Sequence, residues 1–144
     1  MIKVPEVLLK KRIGPQGISS HCKTYKRPAM FQAKVHYFTE SELWRNRNLV
    51  ILGAGDSGRM VVKGLLEKGF SLQHWADPKS ETTRHIFDIP ITPTPDLQNL
   101  SSWLAQIQSR LILCCVGNPQ AKEKLADLFK ELQWEEGRDW LFFL

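Results

Sequence analysis

Across residues 48–144 the apolar positions fall into two alternating patterns. Short unbroken runs take turns with stripes spaced three and four apart. Leu49, Val50, Ile51 and Leu52 form one run, and residues 111–116 form another. Runs of this kind are expected of strands covered on both faces. A weaker run over residues 70–76 ends in Asp77. Ile89-Pro90-Ile91 predicts a short third strand, confined by its proline to a sheet edge. Residues 139–144 predict a last short strand. The stripes lie between these runs. Met60, Val61, Val62, Leu65 and Leu66 share one helical face, and Gly69 follows as a left-handed stop. A second helix opens at Thr94 and Pro95, with Leu97, Leu100, Leu104 and Ile107 on one side. A third carries Ala121, Leu125, Leu128 and Leu132, with Asn118 as its cap and Pro119 at its first position. Residues 78–88 are polar and read as a loop.

The first 47 residues are patterned differently. Residues 1–27 have little periodicity and hold the turn signal Gly14-Pro15-Gln16-Gly17, as a linker or tail would. Pro28 followed by Phe31, Lys34, Val35 and Phe38 predicts an amphipathic helix packed on the rest of the domain. Residues 40–47 predict a further short turn of helix or a loop.

Where the first strand meets the first helix stands Gly53-Ala54-Gly55-Asp56-Ser57-Gly58-Arg59. Strand, G-x-G-x-x-G and helix in this order present a helix N-terminus to a phosphate. The first glycine permits the turn, the second clears space for a pyrophosphate, and the third lets helix and strand pack closely. Asp77, about twenty residues on, stands where such folds hold a ribose hydroxyl. Asp77-Pro78 is equally a common turn pair. Strands alternating with helices imply a parallel sheet with right-handed crossovers. The expected fold is α/β, a Rossmann-like three-layer domain over residues 48–144. About five strands are expected, in the order 3-2-1-4-5, with residues 1–47 as a basic extension. That order puts a crevice between strands one and four, lined by Gly53, Gly55 and Asn118. Asp56 beside the second glycine would repel a phosphate, and Arg59 would offset it.

Charge is uneven along the 144 residues. Residues 1–47 carry ten Lys and Arg against three acids, and residues 48–144 carry ten against twelve, so the formal +5 resides in the first third. Such an arm suits RNA, an acidic partner surface or a phosphorylated substrate, and equally a solvated linker. Tyr25, Phe31, Tyr37 and Phe38 interleave with its cations, as in single-strand binders. No run of eighteen apolar residues and no apolar signal core is present, so neither a membrane span nor secretion is expected. Cys22, Cys114 and Cys115 form no metal or disulfide pattern. Neighbours in a strand point to opposite faces, and three unpatterned cysteines suit a reducing, cytoplasmic setting.

The ordered set of residues 48–77, Asp88-Ile89-Pro90-Ile91, residues 111–117 and Glu136-Gly137-Arg138-Asp139-Trp140-Leu141 resembles the C-terminal Rossmann-like domain of family-2 glycosyltransferases. The resemblance is to the β-1,3-N-acetylglucosaminyltransferase-like group that includes tRNA-queuosine galactosyltransferases. Trp140 stands where that family usually has Phe. Ser20-His21-Cys22-Lys23-Thr24-Tyr25 through Ala33-Lys34 resembles the tether to the catalytic domain. The resemblance implies a context of sugar transfer from a nucleotide sugar. The family's metal-binding D-x-D is absent from these 144 residues, and the chain is too short to hold the catalytic domain before residue 48. No catalytic residue carries over. The chain is expected to be a piece of a longer enzyme or an accessory module working with a separate catalytic domain.

His21, His36, His74 and His85 lack metal-ligand spacing, so no metal site is expected. Ser57 lacks the G-x-S-x-G context of a nucleophile. Three functions remain open. One is a glycosyltransferase module binding a nucleotide or nucleotide sugar. Another is an NAD(P)-binding oxidoreductase or sensor. The third is an RNA- or protein-interaction module with an empty core. The binding residues under the first two are Gly53, Ala54, Gly55, Asp56, Ser57, Gly58, Arg59, Asp77, Gly117 and Asn118.

Overall fold

A computed structural model describes residues 27–143. The helix expected after Pro28 is α1, Arg27–Glu40. Phe31, Val35 and Phe38 recur at helical spacing and are all buried. They join the same apolar cluster as Val61, Val62 and Leu65. The contact is close because Gly64 has no side chain: a Cβ there would lie 3.1 Å from Val35 Cγ2. The basic tail expected over residues 1–26, with Cys22 and the tether-like segment, lies outside the described residues.

The remaining elements are β1 (Asn48–Leu52), α2 (Asp56–Glu67), β2 (His74–Asp77), β3 (Arg84–Ile86), β4 (Ile89–Pro93), α3 (Leu97–Ala105), β5 (Arg110–Cys114), α4 (Pro119–Glu131) and β6 (Trp140–Phe142). The strands form one sheet in the order β3-β4-β2-β1-β5-β6. Every pairing is parallel except β3 with β4. With β3 set aside this is the expected 3-2-1-4-5 order, and the α/β, Rossmann-like three-layer fold stands.

The period of two is visible in the core. Leu49, Ile51, Leu111, Leu113 and Cys115 enter the layer beneath α1 and α2. Val50, Leu52, Ile112 and Cys114 enter the layer with Leu100 and Leu104 of α3 and Leu125 and Phe129 of α4. Each strand thus feeds two cores, which is why β1 and β5 read as continuous apolar runs. Cys114 and Cys115 fall on opposite faces and are free thiols.

Four local expectations need correction. Residues 84–86 lie in the expected loop but form β3. It folds back on β4 through Phe87 and Asp88, both at positive φ (53° and 61°), as a two-residue I′ turn requires. Consequently β4 is not the sheet edge that Pro90 suggested. Pro90 stands opposite His85, and the ladder with β2 starts one residue later at Ile91. Helix α3 does not open at Thr94 and Pro95 but at Leu97, with Asp96 as its cap, whose side chain accepts from Asn99 N. Leu97 is therefore exposed, while Leu100, Leu104 and Ile107 are buried as expected. On α4 the buried face centres on Leu125 and Phe129, and Leu128 is only partly covered. The predicted end of α2 is found: Gly69 sits at φ 85° and Phe70 N donates to Leu65 O.

Candidate functional site

The glycine turn is fixed from three directions. Gly53 leaves β1 at φ 100°, where a side chain is strained. A Cβ there would stand 2.8 Å from Cys115 O. A Cβ on Gly58 would stand 2.1 Å from Gly53 O, so the third glycine brings α2 against the end of β1. The carbonyl of Gly53 accepts from the Trp75 indole N–H at 2.9 Å. Ala54 N donates to Asp77 Oδ2 at 3.2 Å, and Arg59 Nε donates to Ala54 O at 3.2 Å. Strand β2 therefore supplies both an indole and a carboxylate that hold the turn.

Gly55 differs from the other two. Its backbone is ordinary (φ −71°, ψ −174°). A Cβ on it would meet nothing within 4 Å. Neither strain nor packing asks for glycine here. Gly55 is the N-cap of α2 and supplies no side-chain cap, in contrast to Asp96 and Asn118 at the starts of α3 and α4.

Above the turn lies an open cleft of about 640 Å³, within the usual range of small-molecule sites. It sits at the C-terminal ends of β1, β2 and β5, where the strand order reverses direction. Of the residues expected from sequence, Gly53, Ala54, Gly55, Arg59, Asp77, Gly117 and Asn118 line it. Asp56, Ser57 and Gly58 are not among the lining residues. Asp56 is exposed in the first turn of α2, and Ser57 and Gly58 are buried under it. Sequence reasoning missed Lys79, Arg84 and Lys124, which also line the cleft. The signal for Lys124 was present, since Gln120, Ala121 and Lys124 share a helical face beside the cap Asn118. For Lys79 and Arg84 no local signal existed.

Asp77 closes the turn with Pro78 and also holds the glycine turn. Oδ1 accepts from Lys79 N at 2.9 Å, closing the Asp-Pro turn. Oδ2 receives Ala54 N and lies 3.4 Å from Arg84 Nη2. The carboxylate is buried beneath the surface it helps to shape.

No family model, curated protein or solved structure matches this chain. Arg59, Lys79, Arg84 and Lys124 face one carboxylate, Asp77, among the described lining residues. Cys115 forms part of the floor, and burial pushes its thiol up to about 12, with Lys34 pulling weakly the other way. It stays protonated near neutrality and is no nucleophile. His74 lies at the start of β2, outside the lining, and burial lowers its pKa. Among the described residues no group of three His, Cys, Asp or Glu could hold a metal, and no helix is long and apolar enough to cross a membrane. The arrangement can bind an anion between backbone N–H groups and cations.

Proposed function

We propose that this chain is a nucleotide-binding, Rossmann-like module whose cleft takes the diphosphate of a nucleotide ligand. Gly55 carries the proposal. It is the one glycine of the turn that the described structure itself does not require, and it faces the open cleft at the start of α2. A glycine so placed leaves room for a phosphate to reach the helix N-terminus, where N–H groups and the dipole favour negative charge. Arg59 and Lys124 add charge from α2 and α4. The resemblance to family-2 glycosyltransferases makes sugar transfer the setting, with the chemistry on a catalytic domain outside this chain. In that setting the module is an accessory that holds or senses a nucleotide.

A thermal-shift screen of the full chain against UDP, UDP-sugars, GDP-sugars, NAD and NADP tests the proposal. A concentration-dependent rise in Tm with a diphosphate nucleotide, lost in Gly55→Val, is the expected result. No shift with any of them would overturn it and leave the interaction-module function.

A further inference from the structure

The ribose end of the cleft carries its own selectivity. A free ribose diol needs an exposed acceptor at the end of the second strand, and an acid there usually supplies it. Here that acid is already engaged. Asp77 Oδ1 takes Lys79 N, and Oδ2 takes Ala54 N beside the Arg84 guanidinium. Its side chain is only 9% exposed, while that of Arg84 is 45% exposed. What this end of the cleft presents is thus two cations, Lys79 from the loop after β2 and Arg84 from the β3–β4 hairpin. Hairpin and loop are themselves held in place. Arg84 pairs in register with Ile91, a fully buried residue of β4, and Ser80 Oγ donates to Thr82 O at 2.7 Å.

A guanidinium and a lysine lining the cleft beside an engaged carboxylate match a phosphate monoester better than a diol. We infer that the cleft selects a nucleotide whose ribose itself carries a phosphate, with Arg84 and Lys79 as the groups that recognise it. This rests on the reading of the cleft as a diphosphate site and adds a second anion to its ligand. Plain sugar nucleotides lack that phosphate. The module would then sense a nucleotide other than the sugar donor, such as a ribose-phosphorylated dinucleotide.

Titration calorimetry on the full chain with four probes decides the matter: ADP, 2′,5′-ADP, NAD and NADP. The inference expects 2′,5′-ADP and NADP to bind at least about tenfold more tightly than ADP and NAD, the least that a charge-assisted contact of this kind supplies. In Arg84→Ala and in Lys79→Ala the affinity for 2′,5′-ADP and NADP should fall by more than that for ADP and NAD, so that the advantage shrinks, with the Tm of the unliganded chain checked in each. Arg84→Lys should retain part of it. Equal affinity across the four probes, or tighter binding of NAD, overturns the inference and leaves the diphosphate site standing. Absence of binding by all four overturns both.

Discussion

The two ends of this sheet treat their cations in opposite ways. Where β1, β5 and β6 begin, charged groups are tied to the protein's own backbone. Arg47 donates to Arg110 O at 2.6 Å and to Arg138 O, and lies 3.8 Å from Asp139. Asn48 Nδ2 donates to Gln108 O at 2.8 Å, and the Arg110 guanidinium lies 3.8 Å over the Trp134 ring. This end latches three strands together. At the other end, where β1, β2 and β5 stop, Arg59, Lys79, Arg84 and Lys124 line the open cleft, with Arg59 also held by Ala54 O and Arg84 beside Asp77. The backbone there is held too, by the Trp75 indole, the Asp77 carboxylate and the close approach of Gly58 to Gly53. The Arg47 guanidinium is spent on two backbone carbonyls, whereas Arg84, beside Asp77, keeps 45% of its side chain exposed to the cleft end. Sequence position alone does not decide that difference.

The contrast can be broken by substitution, and the largest effect belongs to the lock itself. Gly58→Val should cost about 3 kcal/mol or more, because its Cβ meets the backbone carbonyl of Gly53 rather than a movable side chain. Denaturant unfolding measures it, and a midpoint unchanged from the parent would show that α2 does not approach β1 so closely. Asp77→Ala comes next, at about 2 kcal/mol, because Ala54 N loses its buried acceptor. Its ligand affinity should fall with the loosened turn. Arg47→Ala at the latched end should cost about 1 kcal/mol and leave nucleotide affinity unchanged. A loss of affinity in that variant would mean that the two ends are not independent.

The smallest effect is a pH dependence at the latched end. Burial pushes the Asp139 carboxyl up, but hydrogen bonds from Arg138 and Glu135 N and the charges of Arg138 and Arg47 outweigh it and hold the pKa below 3.8. A folded pKa below the unfolded value stabilises the protein above about pH 4 and loses that contribution as pH falls through the lower folded value. Asp139→Asn should therefore flatten part of the fall in Tm between about pH 4 and lower pH. A parallel curve in the variant would remove Asp139 from the latch.

Much of this was legible along the chain. The strand β1, the glycine turn and α2 announce themselves because a doubly covered strand must be apolar throughout and the turn needs glycine at two crowded positions. Asn118 at the start of α4 and Gly69 at the end of α2 were legible for the same local reasons. The hairpin was not. Arg84 and His85 are exposed, so β3 shows no apolar face, and Phe87-Asp88 lacks the glycine or asparagine that usually marks a tight turn. The phase of α4 was misjudged because leucines at 128 and 132 compete with Phe129 for one face. The cations of the cleft were hidden for a different reason. Lys79, Arg84 and Lys124 come from a loop, a hairpin and a helix, and only the sheet order brings them together.

The central claim is that Gly55 is kept open for a ligand rather than for the fold. It is tested most directly by titrating ADP into isotope-labelled wild-type chain and Gly55→Val while following backbone amide shifts. The account predicts saturable shifts at residues 54–59, 77 and 117–118 in the wild type. It predicts none in Gly55→Val, with a stability within about 1 kcal/mol of the parent. Unchanged binding in Gly55→Val, or shifts confined to the latched end of the sheet, would contradict it.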